Sequence, residues 1–348
     1  MGAVVRKDVV KDPAARAAFI DGVNGLKAEI VLSAQGQPVT TATLGIAGAS
    51  PAVGPRPLST YDVFVLWHYR TMMTATPSGA ARNAAHQGPV FLPWHRLMLM
   101  LLEANIARVL GRPEFGLPYW DWAHDGELPP DAQPEADLWT DPDGIGGDGD
   151  GNGEVQDGKF GAGTAFRVAV VSDRAGNLFA VDRPLRRRLR SVRPQSTQRW
   201  RLPTKAAVGA TLNATRYDGD PWDSDSRTSG FRNGVEGWQQ SLAGPPNLHN
   251  LVHVWIGGDM GPATSPNDPV FYLNHCNVDR IWAAWQAMPG NRDYLPGDTA
   301  SATLFRHRPS DPLLSPFFQR DAQGTPWLVK DMFDVSARYT YDSLAVAG

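Results

Sequence analysis

Six of the eight histidines in this 348-residue chain fall into two groups of three: His68, His86 and His95, then His249, His253 and His275. One buried histidine is ordinarily a core residue with a hydrogen-bond partner. Two triplets call for more. His249 and His253 are four residues apart, so on a helix they share a face and aim at one point. Each triplet also places a histidine beside a strongly apolar run: His95 before Leu97–Leu102, and His275 within "VFYLNHCNVDRIWAAW". Neutral imidazole binds zinc, copper, iron and nickel. A site of imidazoles without a carboxylate carries no charge of its own, which suits Cu(I). Two such sites facing each other hold dioxygen between two coppers. A zinc hydrolase is the competing reading, although a three-plus-three arrangement without carboxylates is less natural for zinc. The Glu-x-x-His pattern of di-iron bundles is missing.

The elements that must position these rings are helices. "STYDVFVLWHYRTMMTAT" predicts a helix capped by Ser59 or Thr60, carrying His68 and stopped by Pro77. A second spans 93–110, with Pro93 in its first turn and Gly111 at its end. Its middle is apolar on every side, so it is expected to be buried. "NLHNLVHVWIGG" predicts a short helix ended by Gly257 and Gly258. "NDPVFYLNHCNVDRIWAAWQAM" predicts a long one, with Asn267 or Asp268 as cap and Pro269 at its first position. An amphipathic helix is expected near 12–29. The fold class that follows is mainly α: a four-helix bundle around the metal centre, with long surface loops and little β. No internal repeat or domain boundary is visible, so residues 1–348 read as one catalytic domain. Within it, 125–165 is Asp/Gly-rich and predicts a surface loop that buries little. Its "DPDGIGGDGDGNGE" invites calcium but lacks regular EF-hand spacing. A Pro-rich segment from about 300 to 348 is expected to wrap the surface and dock through its aromatic end.

Composition narrows the function. The chain is 42% hydrophobic and 20% charged, with a formal net charge of −3. That excludes a global basic field for nucleic acid or an anionic membrane. No stretch reaches the roughly 18 apolar residues of a membrane span. No apolar signal-peptide core is visible in the first residues, so a cytoplasmic location is the default, with partner-assisted export open. Twelve tryptophans imply a rigid aromatic core. The one cysteine, Cys276, forms no intramolecular disulfide.

"HQGPVFLPWHR" and "NLHNLVHVWIGGDM" followed by "SPNDPVFYLNHCNVDRIW" resemble the two copper motifs of the type-3 copper family of tyrosinases, catechol oxidases and haemocyanins, the bacterial tyrosinases most of all. "LPYWDW", "DGKFGAG", "YDGDPWDS" and "GFRNGVEGW" extend the resemblance over most of the chain. It implies that His68, His86 and His95 hold one copper (CuA), and His249, His253 and His275 the other (CuB), with O2 as co-substrate. It implies that Tyr339–Tyr341 docks near an N-terminal arginine, here Arg6. Two features depart from the pattern. Asn274 stands where many bacterial relatives have histidine, and no cysteine lies near the CuA histidines to form a thioether. Cys276 reads as a small buried residue.

The implied activity is ortho-hydroxylation of phenols and oxidation of o-diphenols to o-quinones. The alternative is a catechol or o-aminophenol oxidase without monophenolase activity, and a remote one is a haemocyanin-like oxygen carrier. Glu236 and Asn250 match the glutamate and asparagine that hold a proton-accepting water in bacterial relatives, although "QQSLAGPP" lengthens the interval from Glu236 to His249. Pro262 and Ala263 stand near the expected entrance. Val254, small and apolar, would neither clash with nor pair a substrate carboxylate, so phenols other than tyrosine are expected to be accepted. Phenolic or o-aminophenolic small molecules are the implied substrates. A small caddie-type copper-delivery protein is the implied partner.

Overall fold

The computed structural model describes residues 3–225, 230–238, 247–290 and 292–346. The chain is mainly helical. Asp12 caps α1 (Pro13–Ala28), its carboxylate accepting from the Ala15 amide. Ser59 and Asp62 form a reciprocal capping box that opens α2 (Thr60–Met72). Then come α3 (Phe91–Leu110), the single turns α4 (Trp122–Asp125) and α5 (Asp137–Thr140), α6 (Lys205–Leu212), α7 (Phe231–Glu236), α8 (Leu248–Ile256) and α9 (Val270–Gln286). The expected helices are present, with shifted ends. α2 stops at Met72 rather than continuing to Thr76. The chain after it turns back in backbone hydrogen bonds, Ala84 N–H to Thr74 O and Thr76 N–H to Arg82 O, and this turn delivers His86. α9 starts at Val270, with Pro269 in the cap position rather than the first turn, and Asp268 just before it accepts from the Val270 amide at 3.1 Å.

α1 packs across α2 and α3. Gly22 makes this crossing close: a Cβ there would lie 2.2 Å from Ile106 Cγ2 of α3. Lys27 of α1 and Asp62 of α2 form a buried ion pair at 2.6 Å. One apolar core runs from Val9 to Val346 and includes all of Trp67, Trp94, Trp120, Trp122, Trp139, Trp255, Trp282 and Trp285. The β content is small. β1 (Val4–Arg6) pairs in parallel with β4 (Tyr339–Tyr341), and β2 (Val168–Ser172) pairs antiparallel with β3 (Leu178–Arg183). Among the described residues no helix is long and apolar enough to cross a membrane.

The end of the chain docks as expected. Leu314 O accepts both the Trp67 and the Trp94 indole N–H, at 2.7 and 3.0 Å, which clamps the C-terminal segment over α2 and α3. Arg6 stacks on the Tyr339 ring at 3.4 Å. The Asp/Gly-rich loop needs correction, because Gly144, Ile145, Gly146 and Gly147 are buried. Small residues let the backbone come close to the core, and its carbonyls are satisfied there: Arg187 donates to Ile145 O and Gly146 O. The carboxylates of Asp148, Asp150 and Asp157 accept from loop or neighbouring amides. Among the described residues only the two histidine triplets are arranged to hold a metal.

Candidate metal centre

α2 carries His68, the loop before α3 carries His86, and the first turns of α3 carry His95. α8 carries His249 and His253 on one face, and α9 carries His275. Within each triplet one ligand atom per ring lies within 4.8 Å of the others. The two triplets face each other: the rings of His95 and His275 stack with centroids 4.1 Å apart and planes 9° from parallel. The sequence grouping therefore corresponds to two adjacent clusters.

Four rings are held through Nδ1. His68 Nδ1–H donates to Ala263 O at 2.7 Å, His95 Nδ1–H to Phe91 O at 2.8 Å, and His253 Nδ1–H to Met260 O at 2.7 Å. His249 Nδ1–H reaches Asn250 Oδ1 at 3.0 Å and Glu236 O at 3.3 Å. A proton fixed on Nδ1 leaves Nε2 with its lone pair. Nε2 of His68, His95 and His253 is buried and has no hydrogen-bond partner among the described residues, and the same is true of Nδ1 of His86 and His275. An orphaned buried nitrogen costs free energy unless something binds it. In each triplet one nitrogen per ring comes within 4.8 Å of the other two, as a metal requires, and Nε2 of His249 and Nε2 of His275 lie 3.1 Å apart. Burial drives every one of the six pKa values down, His68 to about 3 and His253 to about 4, the other four well below the usual imidazole range. Burial thus favours the neutral form of every ring, the form that binds a metal.

Phe91 and Phe271 wall the centre. Phe271 contacts His68 and His275 at centroid distances of 5.0 and 4.2 Å. Phe91 contacts His95 and His249 at 4.8 and 4.9 Å. Cys276 is buried, with its thiol pushed up to about 12 by that burial, and donates to Leu117 O. Both amide atoms of Asn274 are buried without a partner among the described residues. Of the entrance positions, Val254 and Pro262 are half-buried and Ala263 is buried.

Glu236 is fully buried. Its Oε1 accepts from the Gln87 amide at 2.7 Å, and its Oε2 pairs with Arg232 at 3.0 Å. Arg232 in turn holds Asp218 through two bonds, at 2.7 and 3.0 Å. Burial raises the Glu236 pKa, against the pull of Arg232. The same residue thus touches both halves of the centre: its side chain grips the residue after His86, and its carbonyl faces His249. Gly237 follows in the left-handed region (φ 101°), where an added Cβ would sit 1.9 Å from Asn247 O. Glycine there allows Glu236 to approach the start of α8. The interval containing "QQSLAGPP", residues 239–246, lies outside the described residues.

Several supporting residues were not legible as such. The carbonyls of Ala263, Met260 and Phe91 that orient ligands belong to residues whose side chains give no hint of it. His307, left without a role by the sequence, is buried. Its Nε2–H donates to Thr76 Oγ1 at 2.7 Å, and its Nδ1 accepts from the Val90 amide. It steadies the turn between His86 and α3.

The chain matches the tyrosinase family, described as the common central domain of tyrosinase, over residues 58–288. The tyrosinase of Streptomyces antibioticus is 39% identical over 239 residues, 68% of this chain and 76% of that protein. The tyrosinase of Streptomyces lincolnensis is 35% identical over 288 residues, 81% and 89% of the two chains. Among solved structures, a polyphenol oxidase from Thermothelomyces thermophila aligns with a TM-score of 0.65 at 22% identity, over 97% of this chain and 88% of that one. The last likeness is one of fold.

Proposed function

Because this chain belongs to the tyrosinase family of dicopper, phenol-oxidising enzymes, we propose that it ortho-hydroxylates monophenols and oxidises o-diphenols to o-quinones with O2. The observation that carries this reading is the pair of facing histidine triplets, each with one ring nitrogen per residue within 4.8 Å of the others. His68, His86 and His95 would hold one copper, and His249, His253 and His275 the other. When bound, the copper pair supplies the activation of dioxygen and the two-electron oxidation.

The protein's own part is positioning, exclusion of water and proton transfer. Phe91 and Phe271 pack on the imidazoles and keep bulk water from their apolar sides. The backbone carbonyls under His68, His95 and His253 fix those rings, so the ligand nitrogens are aimed before a metal arrives. Glu236 and Asn250 flank His249. A carboxylate oxygen has more than one lone pair, so Glu236 can accept from a water while bonded to Gln87 and Arg232. Asn250 uses its oxygen on His249 and keeps its amide N–H groups free to hold that water. In this reading the phenol proton passes through the water to Glu236, which makes it the general base of hydroxylation. Val254, Pro262 and Ala263 line the entrance with small apolar surface, which favours phenols without regard to a carboxylate. Because all six rings are deep, copper loading is assigned to a small delivery partner.

Oxygen uptake and quinone formation by the copper-loaded protein, measured with a monophenol and with the matching catechol, test the proposal. Both substrates are expected to give quinone. Turnover of catechols or o-aminophenols alone, or oxygen binding with no quinone, would replace it.

A further inference from the structure

The segment 186–201, "RRRLRSVRPQSTQRWR", holds seven arginines and no acidic residue, in a chain whose formal net charge is −3. Three of the seven are neutralised: Arg186 by Glu154, Arg187 by Asp268 and Arg190 by Asp131. Arg188, Arg193, Arg199 and Arg201 have no carboxylate within ion-pair distance among the described residues, and residues 226–229, 239–246 and 291 contain no Asp or Glu that could supply one. Together they present a positive field to solvent that no neighbouring carboxylate cancels.

Arg193, Arg199 and Arg201 are placed around a hollow. The segment folds back on itself, with Arg193 N–H donating to Gln198 O and Trp200 N–H to Ser191 O. It is moored to the helix that carries two ligands: Arg188 N–H donates to Ile256 O and Arg190 N–H to Trp255 O, at the last turn of α8. Between segment and helix lies a hollow of about 810 Å³, walled by Arg190, Arg193, Arg199 and Arg201, with Trp200 and Leu251 as apolar surface. Trp200 is buried, and the Arg193 guanidinium lies 5.1 Å from its ring centroid. Arg199 is oriented by donating to Arg190 O at 3.2 Å. No copper-site histidine lines the hollow, so it is a separate site.

We propose that this hollow docks an acidic polypeptide segment of a partner protein. Arginine forks match carboxylates in shape as well as charge. The hollow already displays the contact: the carboxylate of Asp131, itself almost wholly exposed, sits on Arg190 at 2.6 Å, as a side chain of a bound segment would sit on Arg193, Arg199 and Arg201. Arginine and tryptophan around a half-open hollow are residue types that anchor protein partners. Leu251, which lines the hollow, belongs to α8, the helix that carries His249 and His253. The proposal does not depend on which phenols the enzyme oxidises.

The test is fluorescence anisotropy of the copper-loaded protein with a short fluorescein-labelled peptide of alternating Glu and Gly, beside Gln/Gly and Lys/Gly versions. The Glu peptide is expected to bind at least about tenfold more tightly than the Gln peptide, and to weaken about tenfold between physiological and about 0.5 M salt. Arg193→Ser with Arg201→Ser is expected to remove that advantage while copper content and oxidation of an uncharged catechol stay at wild-type levels. Arg199→Ser alone is expected to remove part of it. Equal binding of Glu and Gln peptides, unaltered binding by the variants, or tighter binding of a heparin oligosaccharide that the variants also lose would overturn the assignment.

Discussion

Replacing Asp279 with alanine is expected to lower the unfolding free energy by about 3–5 kcal/mol, the cost of breaking a buried ion pair from one side. That is a large share of the roughly 5–15 kcal/mol by which domains are stable. The reason is the number of groups that meet there. Asp279 Oδ1 accepts from Arg96 at 2.5 Å. Its Oδ2 accepts from Arg6 at 3.2 Å and from the hydroxyls of Tyr339 and Tyr341, each at 2.5 Å. Removing it leaves the Arg6 and Arg96 guanidinium groups buried without the carboxylate they share, although Glu103 still pairs with Arg6 at 2.8 Å. Arg96 follows His95, and Asp279 lies one turn beyond His275, so this ion pair sets the register in which the two stacked rings meet. Thermal or urea unfolding measures the stability loss, and copper retention measures the loss of register.

The same residue sets an acid limit. Burial alone would raise the Asp279 carboxyl, but Arg96 and then Arg6, helped by the two tyrosine hydroxyls, hold it below the usual carboxylate range. A folded pKa below the unfolded one means that the unfolded chain binds the proton first. The contribution is therefore present in full above the unfolded value near 3.9 and is lost as pH falls through the lower folded value. The alanine variant is expected to lose less stability across that window than the wild type.

Glu236→Gln is expected to lower monophenol hydroxylation by about 10²–10⁴-fold, the range for a lost general base, and to leave catechol oxidation within a few fold. Glutamine keeps an oxygen for the Gln87 amide, and Arg232 keeps its two bonds to Asp218, so the scaffold around His86 and His249 should stand. What goes is the basic carboxylate. The ratio of the two activities, measured with copper content unchanged, separates the roles. If both activities fall together and copper is lost, Glu236 acts only by positioning its neighbours.

The ligands were legible because their chemistry belongs to their side chains: six imidazoles at helix-compatible spacing, next to apolar runs, state their purpose locally. The helix cap Ser59 was legible for the same reason, whereas Asp12 was not singled out as a cap. What orients the ligands was not, since any residue can offer the carbonyls that Phe91, Met260 and Ala263 offer. Position 263 could be placed near the entrance, but its hold on His68 depends on a contact 195 residues away in sequence. Arg6 and the terminal tyrosines could be paired by resemblance, whereas Asp279 as their meeting point needed the packing of α3 on α9. The strands Val168–Ser172 and Leu178–Arg183 did leave a signal, two apolar runs around "DRAGN", overshadowed by the loop-like composition before them. The burial of Gly144–Gly147 ran against composition because glycine lets backbone, rather than side chain, fill the core.

Copper per chain, determined by elemental analysis of the purified, copper-loaded protein, tests the central claim most directly. Two coppers are expected, one for each triplet, with strong near-ultraviolet absorption when hydrogen peroxide is added. His68→Ala and His253→Ala, each breaking one triplet, are each expected to abolish that absorption. A single metal ion per chain, or zinc retained in place of copper under copper loading, would contradict the account.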